Sequence, residues 1–149
     1  MIGRLSLRAA LASTALALFV GCSTLDGAHE HAAPAPHVHY VEIVSLDVDA
    51  LCGVLEQLHG LSFGPENADL GNARVATAPD GSLVGVRAPL APHDTPIVRT
   101  YLAVDDIALA VADAEAGGAL IAYGPTVQGD TGTWAIYILG DAQVGLWQR

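Results

Sequence analysis

The segment VEIVSLD, residues 41–47, is apolar and rich in β-branched residues, which predicts a strand. Asp47 then has the chemistry of a helix N-cap. Behind it Val48, Leu51, Cys52, Leu55 and Leu58 recur at helical spacing until Gly60 stops the run. Three short strands are expected next, around Arg74–Ala78, around Leu83–Arg87 and near Leu61–Gly64, with Asp80-Gly81 as the turn joining the first two.

The same pattern returns 59 residues later. TYLAVDD, residues 100–106, falls on VEIVSLD, and Asp106 falls on Asp47. Ile107, Ala110, Val111 and Ala114 repeat the helical stripe, and Gly117-Gly118 ends it. Leu83-Val84-Gly85-Val86 is echoed by Gln143-Val144-Gly145-Leu146 at a shift of 60. A strand-helix-strands unit is therefore written twice, over about residues 38–90 and 97–149. Such a unit cannot bury its sheet face alone, so the two copies are expected to pack together.

Two βαβββ units of this length, with the phrases YLAVDDIALAVADAEAGGA and VGLWQ, resemble the vicinal oxygen chelate superfamily of glyoxalases, extradiol dioxygenases and bleomycin-resistance proteins. The resemblance covers about residues 38–149 and implies an α+β fold: two tandem modules forming a curved eight-stranded sheet around a cavity, with the helices outside. It is specific for fold and weak for activity, since one scaffold hosts many chemistries.

Metal-binding members of that superfamily place four ligands in the cavity, two from the first strands of the modules and two from the last. Here those positions fall on Tyr40, Arg99, Gly85 and Gly145. None is an ordinary ligand for a divalent ion, and arginine would repel one. The expectation is no metal and no cofactor. His39, one residue from the first position, is expected to end the preceding linker.

Alternation along the strands then says what fills the cavity. If Tyr40 faces inward, so do Glu42 and Val44; if Arg99 does, so does Tyr101. On the closing strands Arg87 shares a face with Gly85, and Trp147 with Gly145. The expected ligand-binding wall is Tyr40, Glu42, Arg87, Arg99, Tyr101 and Trp147. Buried charges need partners, so Glu42 should meet Arg87 or Arg99. Trp134 and Tyr137 point to opposite faces of one strand, so at most one reaches the wall. His93, in the connector between modules, reads as an exposed loop residue.

Composition changes the picture at the other end of the chain. The 149 residues carry a formal net charge of −10 and contain no lysine. Without Arg4 and Arg8, four arginines face sixteen acids, a balance of −12. So acidic a surface repels phosphate backbones, and nucleic acid is not expected as a partner. Residues 1–21 read as a secretory signal: a basic start, a twelve-residue apolar run too short to span a bilayer, then small residues. The junction Phe19-Val20-Gly21-Cys22-Ser23 resembles a bacterial lipoprotein signal, with Phe19 where leucine is usual. That implies lipid on Cys22 and attachment to the membrane from outside the cytoplasm, at the outer membrane if the cell has two. Residues 22–37, rich in alanine, proline and histidine, read as a tether, with loose capture of zinc or copper by the His29/His31 and His37/His39 pairs as the alternative. Cys52, left without a partner, reads as a buried helical residue.

Three functions fit. The first is a lipid-anchored protein that binds a small organic molecule in a metal-free cavity. The second is a metal-independent isomerase or lyase, with Glu42 as general base and an arginine stabilising an oxyanion; a paired arginine would weaken that base. The third is a structural lipoprotein whose domain forms a homodimer and takes no ligand.

Overall fold

The structure, a computed structural model, describes residues 36–149. The expected signal segment, the lipid-bearing Cys22 and nearly all of the tether lie outside the described residues. The first module comprises β1 (Val38–Val44), α1 (Val48–His59), β2 (Glu66–Asn67), β3 (Ala73–Thr77) and β4 (Leu83–Arg87). The second comprises β5 (Ile97–Ala103), α2 (Ile107–Ala116), β6 (Leu120–Val127), β7 (Thr133–Leu139) and β8 (Ala142–Gln148). The eight strands form one mixed sheet in the order β2-β3-β4-β1-β5-β8-β7-β6. Within each module the first and last strands are parallel neighbours, β1 with β4 and β5 with β8. The modules join where β1 and β5 run antiparallel.

The two caps work as the sequence implies. Asp47 accepts a hydrogen bond from the Ala50 backbone N–H, and Asp106 accepts one from Leu109, each at 3.0 Å. Asp80 fastens the β3–β4 turn by accepting from both Ser82 N–H and its hydroxyl. Each helix covers the outer face of its own half-sheet. Val48, Leu51, Cys52 and Leu55 pack with Ile43, Val84 and Val86, while Ile107, Ala110 and Val111 pack with Ala135 and Leu146. Leu58, expected in the α1 stripe, is 68% exposed, because it lies in the last turn beyond the reach of the sheet.

Three strand boundaries differ from the sequence reading. β1 and β5 each start three residues earlier than VEIVSLD and TYLAVDD and end three earlier, because the residues leading into each capping aspartate turn away from the sheet. The strand expected near Leu61–Gly64 is displaced to Glu66–Asn67. Phe63 instead buries its ring under α1, and its N–H is held by the Glu56 carboxylate at 3.1 Å.

Candidate functional site: a paired-charge cavity

The inner face of the sheet is built by register. Glu42 lies opposite Arg99 across the β1–β5 joint, and on its other side it is paired with Gly85 of β4. Arg87 stands two residues beyond Gly85 on the same face. Glu42 is therefore set between two guanidinium groups. Arg87 Nε donates to Glu42 Oε1 at 2.6 Å, Arg99 Nη1 donates to Oε2, and the Tyr101 hydroxyl donates to Oε2 at 3.0 Å. All three charged residues are more than 90% buried. The expected Glu42–arginine pairing is thus a triad, with both arginines engaged at once.

Further groups complete the charge balance. Arg87 Nη1 donates to Asp94 Oδ2 at 2.5 Å and to the Ala88 carbonyl at 3.0 Å. Arg99 is held from the other side by Gln143 Oε1, which accepts from Nη2 at 2.7 Å. Two arginines thus face two carboxylates, and the inner wall carries no net charge. Burial works against the Arg87 cation, but its bonds to Asp94 and Glu42 outweigh that penalty and its pKa rises. Burial likewise pushes the Asp94 pKa upward, yet the hydrogen bonds from Arg87 and Leu90 N–H bring it below the usual carboxylate range.

The aromatic residues lie beside this cluster. Tyr40, Tyr101 and Trp147 form one buried group with ring centroids 5.5–5.7 Å apart. Trp134 stands edge-on to Tyr101 at 6.5 Å, and Tyr123 is tilted against it at 5.8 Å. Gln128 accepts from Trp134 Nε1 and holds that indole in place. Burial, followed by the Glu42 charge, raises the pKa of both Tyr40 and Tyr101 well above the ordinary phenol range, so both remain protonated donors. The Tyr40 hydroxyl is the exception to an otherwise paired wall: it is buried and has no hydrogen-bond partner among the described residues.

These side chains line a cavity of about 510 Å³. All six residues expected in the wall, Tyr40, Glu42, Arg87, Arg99, Tyr101 and Trp147, are brought together there. Trp134 reaches the cavity, while Tyr137 packs under α2. His93 is exposed, as its loop position implies, yet it also lines the cavity beside Asp94. Asp94, Gln143 and Tyr123 were not anticipated. Gln143 sits two residues before Gly145 on the inward face, so strand alternation could have found it. Asp94 comes from the connector, where no periodicity marks a direction.

His39 departs from expectation. It lies inside β1 and is 5% exposed, and it does not end a linker. The register slips there: Val38 pairs with Leu102 and Tyr40 with Tyr101, so one extra residue is accommodated on β1. A bulge breaks the alternation and lets two neighbours, His39 and Tyr40, both be buried. Arg149 Nη2 donates to His39 Nδ1 at 2.9 Å, which leaves the ring proton on Nε2. Just before β1, the His37 carbonyl accepts from Ala103 N–H at 2.9 Å. A second cavity of about 250 Å³ lies beside His39, Leu70, Leu83 and Trp147.

No family model and no curated protein matches the sequence. Solved structures do match the fold. The hypothetical protein BH1468 from Bacillus halodurans C-125 has a TM-score of 0.63 at 10% identity, over 77% of this chain and 95% of that one. Methylmalonyl-CoA epimerase from Mycobacterium tuberculosis has a TM-score of 0.60 at 15% identity, over 74% of this chain and 86% of that one. The Streptomyces coelicolor methylmalonyl-CoA epimerase in complex with 2-nitronate-propionyl-CoA gives 0.53 at 15% identity, over 74% and 95%. The domain has the vicinal oxygen chelate fold.

The metal that many proteins of this fold hold does not fit these residues. Of its four ligand positions, Gly85 and Gly145 offer no side chain, and the space above them is filled. A Cβ on Gly85 would overlap the Tyr40 ring and hydroxyl, and one on Gly145 would overlap the Tyr101 ring. Tyr40 stands at the third position as a protonated phenol. The fourth is Arg99, a fixed cation already bound to Glu42. Among the described residues, no three His, Cys, Asp or Glu side chains are grouped to hold an ion.

Proposed function

We propose that this domain is a metal-independent module that binds a small organic molecule in its cavity, held outside the cytoplasm by lipid on Cys22. The observation that carries the reading is the 510 Å³ cavity, lined by both modules, whose charged groups are already paired with one another. Its size is that of ordinary small-molecule sites, which run from about 300 to 1,000 Å³. Its lining combines aliphatic and aromatic walls with a few fixed polar groups, as such sites require.

Glu42 favours binding over base catalysis. A carboxylate offers about four acceptor sites, and here three donors already occupy it. At most one acceptor site, on Oε1, is left to receive a proton from a bound ligand.

A thermal-melt screen against a broad metabolite library tests the reading. The expected result is a saturable upward shift that Tyr123→Ala, on the exposed edge strand, reduces and Arg99→Ala abolishes. A library that shifts nothing sinks the binding reading in favour of a structural role. Lipid attachment is tested separately: the native protein should partition into a detergent phase, and Cys22→Ser should move it to the aqueous phase.

A further inference from the structure

We infer that the ligand is an uncharged planar ring bearing an oxygen acceptor, of the aryl ketone or aryl amide class, its ring against Trp134 and Tyr123 and its oxygen received by Arg87 and Tyr40. This inference rests on the cavity being a binding site and goes further by naming the chemistry that enters it.

Charge is the first argument. Arg87 and Arg99 are offset by Glu42 and Asp94, all four in the wall of one cavity. A carboxylate ligand would add an unmatched negative charge to a buried, balanced site in a strongly acidic protein. Burying an unpaired ion is far more costly than burying a neutral carbonyl that accepts a hydrogen bond.

Unused donors are the second argument. Arg87 spends Nε on Glu42 and Nη1 on Asp94 and Ala88, while Nη2 makes no hydrogen bond among the described residues. The Tyr40 hydroxyl lies against Gly85, close enough to feel the charges of Glu42 and Arg87, and is likewise unpartnered. A buried hydroxyl left without a partner is a standing cost that an incoming acceptor removes. That hydroxyl is sealed from solvent, so a ligand reaches it only when a neighbouring side chain moves, and Leu70 packs against the Tyr40 group. This side chain lines the cavity from a three-residue helical turn outside the sheet.

The cavity also carries aromatic surface. Trp134, pinned by Gln128, and the half-exposed Tyr123 present aromatic surface to the cavity. Ring stacking there adds to the area buried and is not available to an alicyclic ligand.

Four probes separate these elements: acetophenone, benzoate, cyclohexyl methyl ketone and ethylbenzene. Each is titrated into the purified full chain while the two tryptophan indole N–H resonances are followed by NMR. Acetophenone should perturb the Trp134 resonance saturably and bind about tenfold more tightly than each of the others. Tyr40→Phe should weaken acetophenone about fivefold, leave ethylbenzene unchanged and not lower the melting temperature. Benzoate or cyclohexyl methyl ketone binding as tightly as acetophenone overturns the ligand class while leaving the cavity reading intact. So does a Tyr40→Phe variant with unaltered acetophenone affinity. No perturbation by any of the four overturns the inference, while the cavity reading stands or falls on the library screen.

Discussion

The ring of Tyr101 occupies the space above Gly145 in which a side chain would begin, with its Cγ, Cδ1 and Cε1 the atoms nearest to a Cβ built there. The two residues are direct partners on parallel strands β5 and β8. Gly145→Ala should therefore destabilise the fold by about 1–3 kcal/mol, the usual cost of forcing an extra carbon into a packed core. A double-mutant cycle with Tyr101→Leu, read by urea denaturation, should give a favourable coupling of at least about 1 kcal/mol. Additive losses would mean that the ring can move aside freely.

Among the described residues Glu42 is the only carboxylate that touches both buried arginines, so its loss should be felt more than that of either arginine. Glu42→Gln leaves Arg87 and Arg99 buried with one fewer negative charge, and breaking such a pair costs about 3–5 kcal/mol. Arg99→Met should cost less, because Glu42 keeps Arg87 and Tyr101 as donors. Equilibrium unfolding of the two variants checks the order. The reverse order would place the structural weight on Arg99 and Gln143.

Acid should weaken the domain in two steps. Burial, with the nearby charges of Arg149 and His37, lowers the His39 pKa below its ordinary value. A lowered folded-state pKa means that stability is full above about 6.5, the unfolded value, and falls as pH drops through the folded one. Asp94 has the same sign at lower pH: its contribution is full above about 3.9 and is lost below that. The melting temperature should hold from neutral pH to about 6.5, then decline, with a second decline below about 4. In His39→Gln the first decline should vanish while the second remains. Asp94→Asn should reduce only the second, to which Asp80 also contributes, and lower stability at neutral pH by about 1.5–3 kcal/mol, the range for hydrogen bonds to charged groups.

Cys52 is fully buried under α1, and burial raises its thiol pKa. In a Cys22→Ser protein, a thiol reagent should label Cys52 only after unfolding, at a rate that tracks the fraction unfolded in urea. Rapid labelling of the native protein would mean that α1 opens locally.

The repeat was legible because the same caps and stripes recur at Asp47 and Asp106, and a period of about sixty residues survives even where side chains differ. The six wall residues followed from strand alternation, which holds wherever a strand runs without interruption. Alternation failed at His39, where the bulge in β1 buries two neighbours in succession. It had no purchase on Asp94, whose direction is set by the connector's own hydrogen bonds to Leu90 and Ala91. The two-residue β2 carries too little pattern to be placed by sequence, and a buried Phe63 with apolar neighbours mimics a strand three residues upstream.

The most direct test of the account is elemental analysis of the full chain purified without chelator, with Glu42→Gln analysed alongside. Paired arginines in place of a metal centre predict only trace, sub-stoichiometric zinc, iron, manganese, cobalt and nickel in both proteins. A stoichiometric ion that survives dialysis and is lost in Glu42→Gln would contradict the account at its centre.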